Sequence, residues 1–395
     1  NLGRSKKETA LNLDETASYF NLVAIFNQKT ASLSGGSKQI VSLAAVFAAK
    51  TDLLILDEPV SQLDPIAADE FIQIAARLNR EQGTTVLISS HRTEHILPIA
   101  DKIAVMEKGS IIFCGPPADA AHFLVEENHE MKLALPQYTQ VFQGNPIDFV
   151  SAKRAVSALR YKACVPSCKM DASLVVKGLC FTYERKLPDV FYKLDYEAEH
   201  GKINAVIGAN GSGKTTLLKC LCGVLKSYGG KIKTKGKAAY MPQNVHTLFL
   251  KDTVFQEIGD MKLLERFNLE KLAQKNPFDL SGGEAQRLAL AKMMTVQCDV
   301  LLLDEPTKSV DAPFAACFAE MLRTLADEGK TIVFATHDLE FAARYADNAA
   351  FLFNGKIAAS APVKEVFSAL DIYTTSIAKL TGGKAVSAKE IEVAE

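Results

Sequence analysis

Gly208-Ala-Asn-Gly-Ser-Gly-Lys-Thr215 fills every defined position of the pattern G-x-x-x-x-G-K-[ST], a spacing suited to holding a chain of phosphates. It follows a short apolar run, Ile203 to Ile207, and opens a helical stretch, Thr216 to Leu225. In that context glycines let backbone N–H groups curl around phosphate oxygens, and the helix adds the positive end of its dipole. Gly208, Asn210, Gly211, Ser212, Gly213 and Thr216 are then the cradle. Lys214 reaches the outer phosphates and Thr215 sets its hydroxyl on Mg²⁺. A glycine-rich turn without a ligand is the plain alternative.

Asp304 ends another apolar run, Val300 to Leu303, and Glu305 comes directly after it. An acid there suits a Mg²⁺ shell, and its neighbour suits orienting or activating water. An Asp-Glu-Pro after a strand is also compatible with a solvated turn, but its place downstream of a phosphate loop favours chemistry. His337 comes after the run Thr331 to Ala335, where its ring can meet the terminal phosphate and the water. A lone histidine is more often structural; this one has a duplicate.

The chain repeats itself. Leu33-Ser-Gly-Gly-Ser-Lys-Gln39 returns as Leu280-Ser-Gly-Gly-Glu-Ala-Gln286, a step of 247 residues (33 to 280). Asp57-Glu58-Pro59 and Asp64 return as Asp304-Glu305-Pro306 and Asp311 at the same step, and His91 returns as His337 one residue short of it. A period this long means duplicated domains, each with its own core, and not a solenoid. Carried backwards, the step puts the first copy's phosphate loop ahead of Asn1. The expectation is a first domain over residues 1–130 without that loop, a connector over 131–172 containing Pro136, Pro146 and Pro166, a complete second domain over 173–372, and a weakly ordered tail over 373–395. Because Asp57, Glu58 and His91 keep their residue types, a chain that begins upstream of Asn1 is favoured over a loop that has been lost.

The elements that must position these groups are short and apolar: Leu53 to Leu56, Thr85 to Ile88, and the three runs already named. Unbroken apolar strands suit a parallel sheet covered on both faces. Each copy closes with a hairpin signal, around Lys108-Gly109 and around Asn354-Gly355. Ser281 and Glu284 form a capping box for a helix over Ala285 to Met294, whose N-terminus faces any bound anion.

Composition excludes several classes. Lys+Arg 45 against Asp+Glu 46 leaves no basic excess for nucleic acid. No apolar run approaches the roughly 18 residues of a membrane-spanning helix. The eight cysteines have no disulfide rhythm, and Cys180, Cys220, Cys222 and Cys298 sit in apolar stretches that suit reduced thiols. Cys164 and Cys168 are a near pair, but zinc needs two further ligands and none lies nearby.

Leu280-Ser-Gly-Gly with Gln286 resembles the signature of ATP-binding-cassette (ABC) ATPases, and the resemblance extends over nearly the whole chain. It implies an α/β fold of two P-loop nucleotide-binding domains, mainly parallel sheets flanked by helices, with a small antiparallel β element and a helical subdomain. It implies ATP and Mg²⁺ as ligands. Glu305, His337, Lys214 and Gln243 become the catalytic set, and Thr215, Gln243 and Asp304 the metal set. Gln243, in Tyr-Met-Pro-Gln-Asn, resembles the glutamine that senses Mg²⁺ and couples to a partner. Tyr183 resembles the aromatic that stacks on adenine, with a core tyrosine as the alternative. Domains of this family clasp so that each signature covers the opposite phosphate loop. Ser34, Gly35 and Gly36 would then close over Lys214, while Ser281, Gly282 and Gly283 face Asp57, Glu58 and His91; Asp64 and Asp311 cross the seam.

Some positions depart from the pattern. Few residues separate Gln243 from Ser281, which leaves a small helical region at the face that docks a membrane partner. Ala285 stands where Lys is common, and Val310-Asp311-Ala312 replaces Leu-Asp-Pro. Two cassettes in one chain, the segment Asn244 to Val254 and the connector resemble the duplicated ATPases of energy-coupling-factor importers for cobalt, nickel and vitamins. That implies transmembrane partner subunits, ATP hydrolysis coupled to transport at the cytoplasmic membrane face, a possible second ATPase chain or self-association, and no nucleic acid. The alternative is a soluble cassette pair acting in translation or DNA maintenance. Such proteins usually bring iron–sulfur cysteines, a long charged linker or basic extensions, and none is visible here. A non-hydrolysing regulator fits poorly with Glu305 and His337.

Overall fold

Apolar runs without polar alternation call for cover on both faces, and the parallel strands they form are covered on both faces in the second copy. The computed structural model describes residues 5–61, 63–162, 171–308 and 310–393. Cys164, Pro166 and Cys168 lie outside the described residues. The chain divides into two compact units, residues 1–101 and 102–395.

The first unit begins with α1 (Lys6–Tyr19), started by a capping box between Ser5 and Glu8. Next come α2 (Gly35–Phe47), β1 (Leu53–Asp57), α3 (Pro65–Gln82) and β2 (Thr85–Ser89). Asp64 caps α3 with Pro65 in its first turn, and Gly83 ends it in the left-handed conformation. β1 and β2 run parallel, Leu53 beside Thr85 through Asp57 beside Ser89. One face of the pair packs Leu54 onto Phe71, Ile72 and Leu78. The other face presents Leu53, Ile55 and Leu87, which are 51%, 66% and 58% exposed. Their counterparts in the second copy, Val300, Leu302 and Val333, are fully buried.

In the second unit β3 (Ile103–Glu107) and β4 (Ser110–Gly115) form an antiparallel hairpin. Lys108 and Gly109 turn it with φ of 47° and 81°, the two positive values that a tight hairpin needs. The chain continues through α4 (Pro117–Glu126), α5 (Gln137–Val141), α6 (Phe149–Ala155) and β5 (Leu159–Tyr161), then β6 (Ala172–Phe181), β7 (Phe191–Glu199), β8 (Ile203–Ile207), α7 (Lys214–Leu221), β9 (Gly229–Thr234) and β10 (Ala238–Met241). After α8 (Val254–Ile258), α9 (Met261–Arg266) and α10 (Gly282–Thr295) come β11 (Val300–Asp304), α11 (Ala312–Asp327), β12 (Thr331–Thr336), α12 (Leu339–Tyr345), β13 (Asn348–Phe353), β14 (Lys356–Pro362), α13 (Val363–Ala369), α14 (Ser376–Thr381) and β15 (Ile391–Val393).

The central sheet has the order β10-β11-β12-β8-β13-β14, and β14 alone is antiparallel to its neighbour. One face packs Val300, Leu302 and Val333 against Leu217 and Leu218 of α7 and against the antiparallel sheet β7-β6-β9. The opposite face packs Leu301, Leu303, Ile332 and Phe334 onto Leu288 of α10 and Phe318 and Leu322 of α11. This is the architecture the resemblance implies, with parallel strands flanked by helices and a small antiparallel element.

The small helical region between Gln243 and Ser281 is anchored by a buried ion pair. The Glu257 side chain, 1% exposed, accepts from Lys292 Nζ and from the backbone N–H groups of Leu250 and Lys251, the last at 2.6 Å. Burial acts to raise the Glu257 pKa, but the Lys292 bond and the two N–H groups outweigh it and hold it below the usual carboxylate value. Removing one partner leaves a buried charge uncompensated. Lys292→Met is therefore expected to lower stability by about 3 kcal/mol, read from chemical denaturation. Because the folded pKa is depressed, the stabilisation is present above the unfolded carboxylate pKa and is lost as pH falls through the folded value. The variant and the parent should converge in stability under acid conditions.

The weakly ordered end expected from residue 373 is instead folded. β15 pairs antiparallel with β5, Ile391 beside Tyr161 and Val393 beside Leu159. Ile377, Leu380, Ala385 and Ile391 pack with Tyr138, Ala152 and Leu159. An Ala-, Lys- and Glu-rich composition hid an apolar set whose partners lie more than two hundred residues earlier. Connector and C-terminal segment fold as one small layer.

Candidate nucleotide site

Four neighbouring parallel strands end at one edge of the central sheet. Ile207 of β8 lies beside Thr336 of β12, Ala335 beside Asp304 of β11, and Leu303 beside Met241 of β10. The segments leaving these strand ends therefore converge, which is where ligands sit in open α/β sheets. Those segments carry the glycine loop, His337, Glu305 and Gln243 in turn.

Gly208 has φ 156°, and a Cβ there would stand 2.5 Å from the Leu352 carbonyl oxygen and 2.9 Å from Ser212 Oγ. Only glycine passes that point. At Gly213, φ 104°, a Cβ would meet Phe191 at 3.0 Å. Lys214 is 7% exposed, and its ammonium donates to the carbonyls of Gly208 (2.8 Å) and Ala209 (3.1 Å) while standing 3.9 Å from Glu305 Oε1. The loop thus folds back on its own lysine. The Ser212 hydroxyl is buried without a hydrogen-bond partner.

Asp304, 2% exposed, is held at both oxygens: Thr215 Oγ1 donates to Oδ1 at 2.9 Å and the Tyr240 hydroxyl to Oδ2 at 3.1 Å. Burial raises its pKa, against the pull of those two bonds. A desolvated carboxylate next to a threonine hydroxyl gains from a divalent cation.

Glu305 has φ 50°, a strained value for a non-glycine residue that clusters at working sites. Glu58 in the first copy repeats it with φ 45°. The Glu305 N–H is tied to the Ala335 carbonyl at 2.8 Å. Its Oε2 pairs with His337 Nδ1 at 2.9 Å and accepts from Thr336 Oγ1 at 3.2 Å and the His337 N–H at 3.4 Å. Burial alone would raise the Glu305 pKa, but the His337 bond and charge, with Lys214, bring it below the usual value. The group is an ionised carboxylate kept out of bulk water. His337 is 4% exposed, and its Nε2 is buried without a partner. One ring nitrogen is fixed by the acid and the other is left for something the loop edge receives.

Tyr183 is 57% exposed, so the core alternative is out; its hydroxyl shares a hydrogen bond with Thr216 Oγ1 at 2.8 Å, beside the cradle. Asn210 and Gly211 are exposed at the loop tip. Gln243 is exposed two residues beyond β10, and among the described residues no hydrogen bond joins it to Thr215 or Asp304.

Ser281 caps α10 through the capping box the sequence predicts: its Oγ accepts from the Glu284 N–H at 3.4 Å, and Glu284 accepts from the Ser281 N–H at 2.8 Å. The helix starts at Gly282, three residues earlier than expected. Gly283 packs against the Phe314 ring, where a Cβ would stand at 2.7 Å. Ala285 is fully buried, which explains why no lysine stands there. Ser34 caps α2 the same way but with Ser37 in place of the glutamate, and Ser34 and Gly35 are exposed. In the first unit Asp57 accepts from Ser89 Oγ, and Glu58 lies 3.4 Å from His91 Nε2. That pair is open, with the His91 side chain 43% exposed, and burial raises the Glu58 pKa against the pull of His91.

Tyr240 and Thr336 were not singled out from the sequence. Each reads as an ordinary strand residue, and only its place beside Asp304 or Glu305 marks it. The spacing Tyr240 to Gln243 was the available signal.

A glycine cradle at the carboxyl edge of a parallel sheet, with a buried lysine, an acid pair and a capped serine-glycine-glycine helix, defines a P-loop ATPase of the ABC type. The ABC transporter profile matches residues 5–61 and 191–308. A protein of Bacillus thuringiensis subsp. konkukian (strain 97-27) described as an ABC transporter ATP-binding protein is 35% identical over 414 residues, covering 95% of this chain and 75% of its own. A Bacillus subtilis (strain 168) protein described as an HMP/thiamine import ATP-binding protein is 29% identical, over 93% of this chain and 72% of its own. Among solved structures, the archaeal ribosome recycling factor aABCE1, in complex with a ribosomal stalk protein, shares the fold with a TM-score of 0.63 at 22% identity, over 90% of this chain and 69% of that one. The chain belongs to the ABC transporter ATP-binding proteins, as an ATP-hydrolysing subunit.

Proposed function

We propose that this chain powers a membrane-embedded importer of the energy-coupling-factor type, for a vitamin or a transition-metal ion, by closing two cassettes over ATP and reopening them after hydrolysis. The observation that carries the hydrolytic part is the Glu305 carboxylate, buried and ionised between His337 and Lys214 at the mouth of the glycine loop. The uptake part is supported by the tandem arrangement and by the relative described for HMP/thiamine import.

The residues fit a nucleotide with Mg²⁺: no Cβ is tolerated at Gly208, the Ser212 hydroxyl is unpaired, and Asp304 is buried beside Thr215. In this reading Tyr183 offers its ring to the adenine. Gly208, Asn210, Gly211, Ser212, Gly213 and Thr216 surround the phosphates, and Lys214 leaves its loop carbonyls to neutralise them. Thr215, Asp304 and Gln243 would hold Mg²⁺, which supplies charge to the phosphate oxygens. Glu305 orients a water and takes its proton, and His337 Nε2 contacts the terminal phosphate. Ser34, Gly35 and Gly36 of the first cassette (residues 1–130) close over this set in the second (173–372). Ser281, Gly282 and Gly283 face Asp57, Glu58 and His91 in the other site.

The partners are transmembrane subunits, which hold this chain peripherally at the cytoplasmic face of the membrane, together with a second ATPase chain or a second copy of this one; nucleic acid is not expected. No helix among the described residues is long and apolar enough to cross a membrane. The test is affinity purification of the tagged chain from detergent-solubilised membranes. A multi-span hydrophobic subunit should co-purify and raise ATP turnover. Recovery with ribosomes or DNA in a strongly salt-dependent manner, and with no membrane protein, contradicts the proposal and favours the soluble alternative.

A further inference from the structure

The helix that comes after His337 is gripped from two distant parts of the chain. His337 lies between β12 and α12, and the junction is stiff: Asp338 caps α12 by accepting from the Phe341 N–H at 2.9 Å, and its own N–H donates to Thr336 Oγ1 at 3.0 Å. Thr336 Oγ1 in turn bonds Glu305. Any shift of α12's first turn therefore moves the histidine against its acid.

That first turn carries Glu340. One oxygen of its carboxylate accepts from the Ser376 N–H at 2.7 Å, and the other from the side-chain amide of Gln137. Gln137 is 4% exposed, and its amide oxygen accepts from the Ala388 N–H at 2.7 Å. A buried amide thus joins the connector, the C-terminal segment and the catalytic helix. One turn further on, Arg344 donates to Gln140 Oε1 at 3.0 Å. Lys389 Nζ donates to the Arg344 carbonyl at 3.4 Å and stands 4.8 Å from the centre of the Tyr345 ring. Gln137 and Ser376 are buried, and polar groups withdrawn from water fix geometry because they must keep their partners.

We propose that Glu340 is a positioning residue for hydrolysis: the connector and the C-terminal segment, bonded to it through Gln137 and Ser376, set where α12 holds His337. The connector after the first cassette then acts on the histidine of the second through Glu340 and α12. The inference rests on the reading of His337 given above.

An exchange experiment tests it. Glu340→Gln places two amide NH₂ groups against each other, and Gln137→Glu places two carboxylates against each other. The double variant restores a donor facing an acceptor and keeps the bonds to Ser376 and Ala388. Each single variant is expected to lower kcat by about tenfold, with the Kd for ATP within about twofold of the parent, and the double to recover most of the loss. In a His337→Ala background the single variants should cause little further loss, because the effect passes through that side chain. Arg344→Met, which removes the Gln140 contact at a half-buried position, is the companion variant where a single variant fails to fold, and it should lower kcat in the same His337-dependent way. Singles at the parental kcat, a double no better than the worse single, or an effect undiminished without His337 overturns the proposal. If His337→Ala alone keeps full turnover, it is the site reading that falls.

Discussion

Glu305→Gln is expected to retain ATP while losing turnover by roughly 10²- to 10³-fold, the usual scale for removing a general base. The reason is local. Glutamine keeps an oxygen for the Thr336 hydroxyl and the His337 N–H, so the pocket stays folded, but it gives up the charge that His337 and Lys214 stabilise. Binding measured by calorimetry should stay within about threefold of the parent, since the loss falls on the transition state and not on the bound nucleotide. Because the Glu305 pKa lies below the usual carboxylate value, parental turnover should not fall through protonation of this acid until the pH drops beneath that range. Unchanged turnover in Glu305→Gln removes the assignment of the water-activating group.

The second large effect belongs to Lys214. Its ammonium is almost fully buried, and a triphosphate would compete for it with the two loop carbonyls that hold it and with Glu305 beyond them. Charge-assisted hydrogen bonds to phosphate contribute about 1.5–3 kcal/mol each, so Lys214→Met is expected to weaken ATP by on the order of 100-fold and to lower turnover further. Methionine fills the same channel, and Glu305, which loses the ammonium, keeps its bonds to Thr336 and His337. A melting temperature close to the parent's, together with ATP affinity reduced by the full amount, is the expected pair of results; parental affinity would remove the loop from the account.

Much of this site was legible because the residues that matter come right after strand ends, and strand ends are fixed by short apolar runs. Gly208, Asp304, Glu305 and His337 each stand at or just beyond such an end, so spacing alone gathers them at one sheet edge. The Ser281–Glu284 cap was legible for a similar reason, since a capping box is a local pattern. Long-range contacts leave no such trace. Gln137 and Glu340 are ordinary polar residues far apart in the chain, and neither sits in a motif. The C-terminal segment looked loose because small and charged residues outnumber the Ile377, Leu380 and Ile391 that bury it. Tyr183 was ambiguous between core and surface until its exposure was known. The compact units divide at residue 101, earlier than the boundary at 130 expected from the composition of the connector.

Closure of one half over the other is tested most directly by distance. Spin labels on non-natural side chains at Lys38, exposed just after Ser34-Gly35-Gly36, and at Arg185, exposed near Tyr183, leave the native cysteines untouched. In the Glu305→Gln background, pulsed electron resonance should show a broad separation without nucleotide that shortens and narrows when ATP and Mg²⁺ are added. A distribution that ATP leaves unchanged, in protein that demonstrably binds it, contradicts closure across the two cassettes.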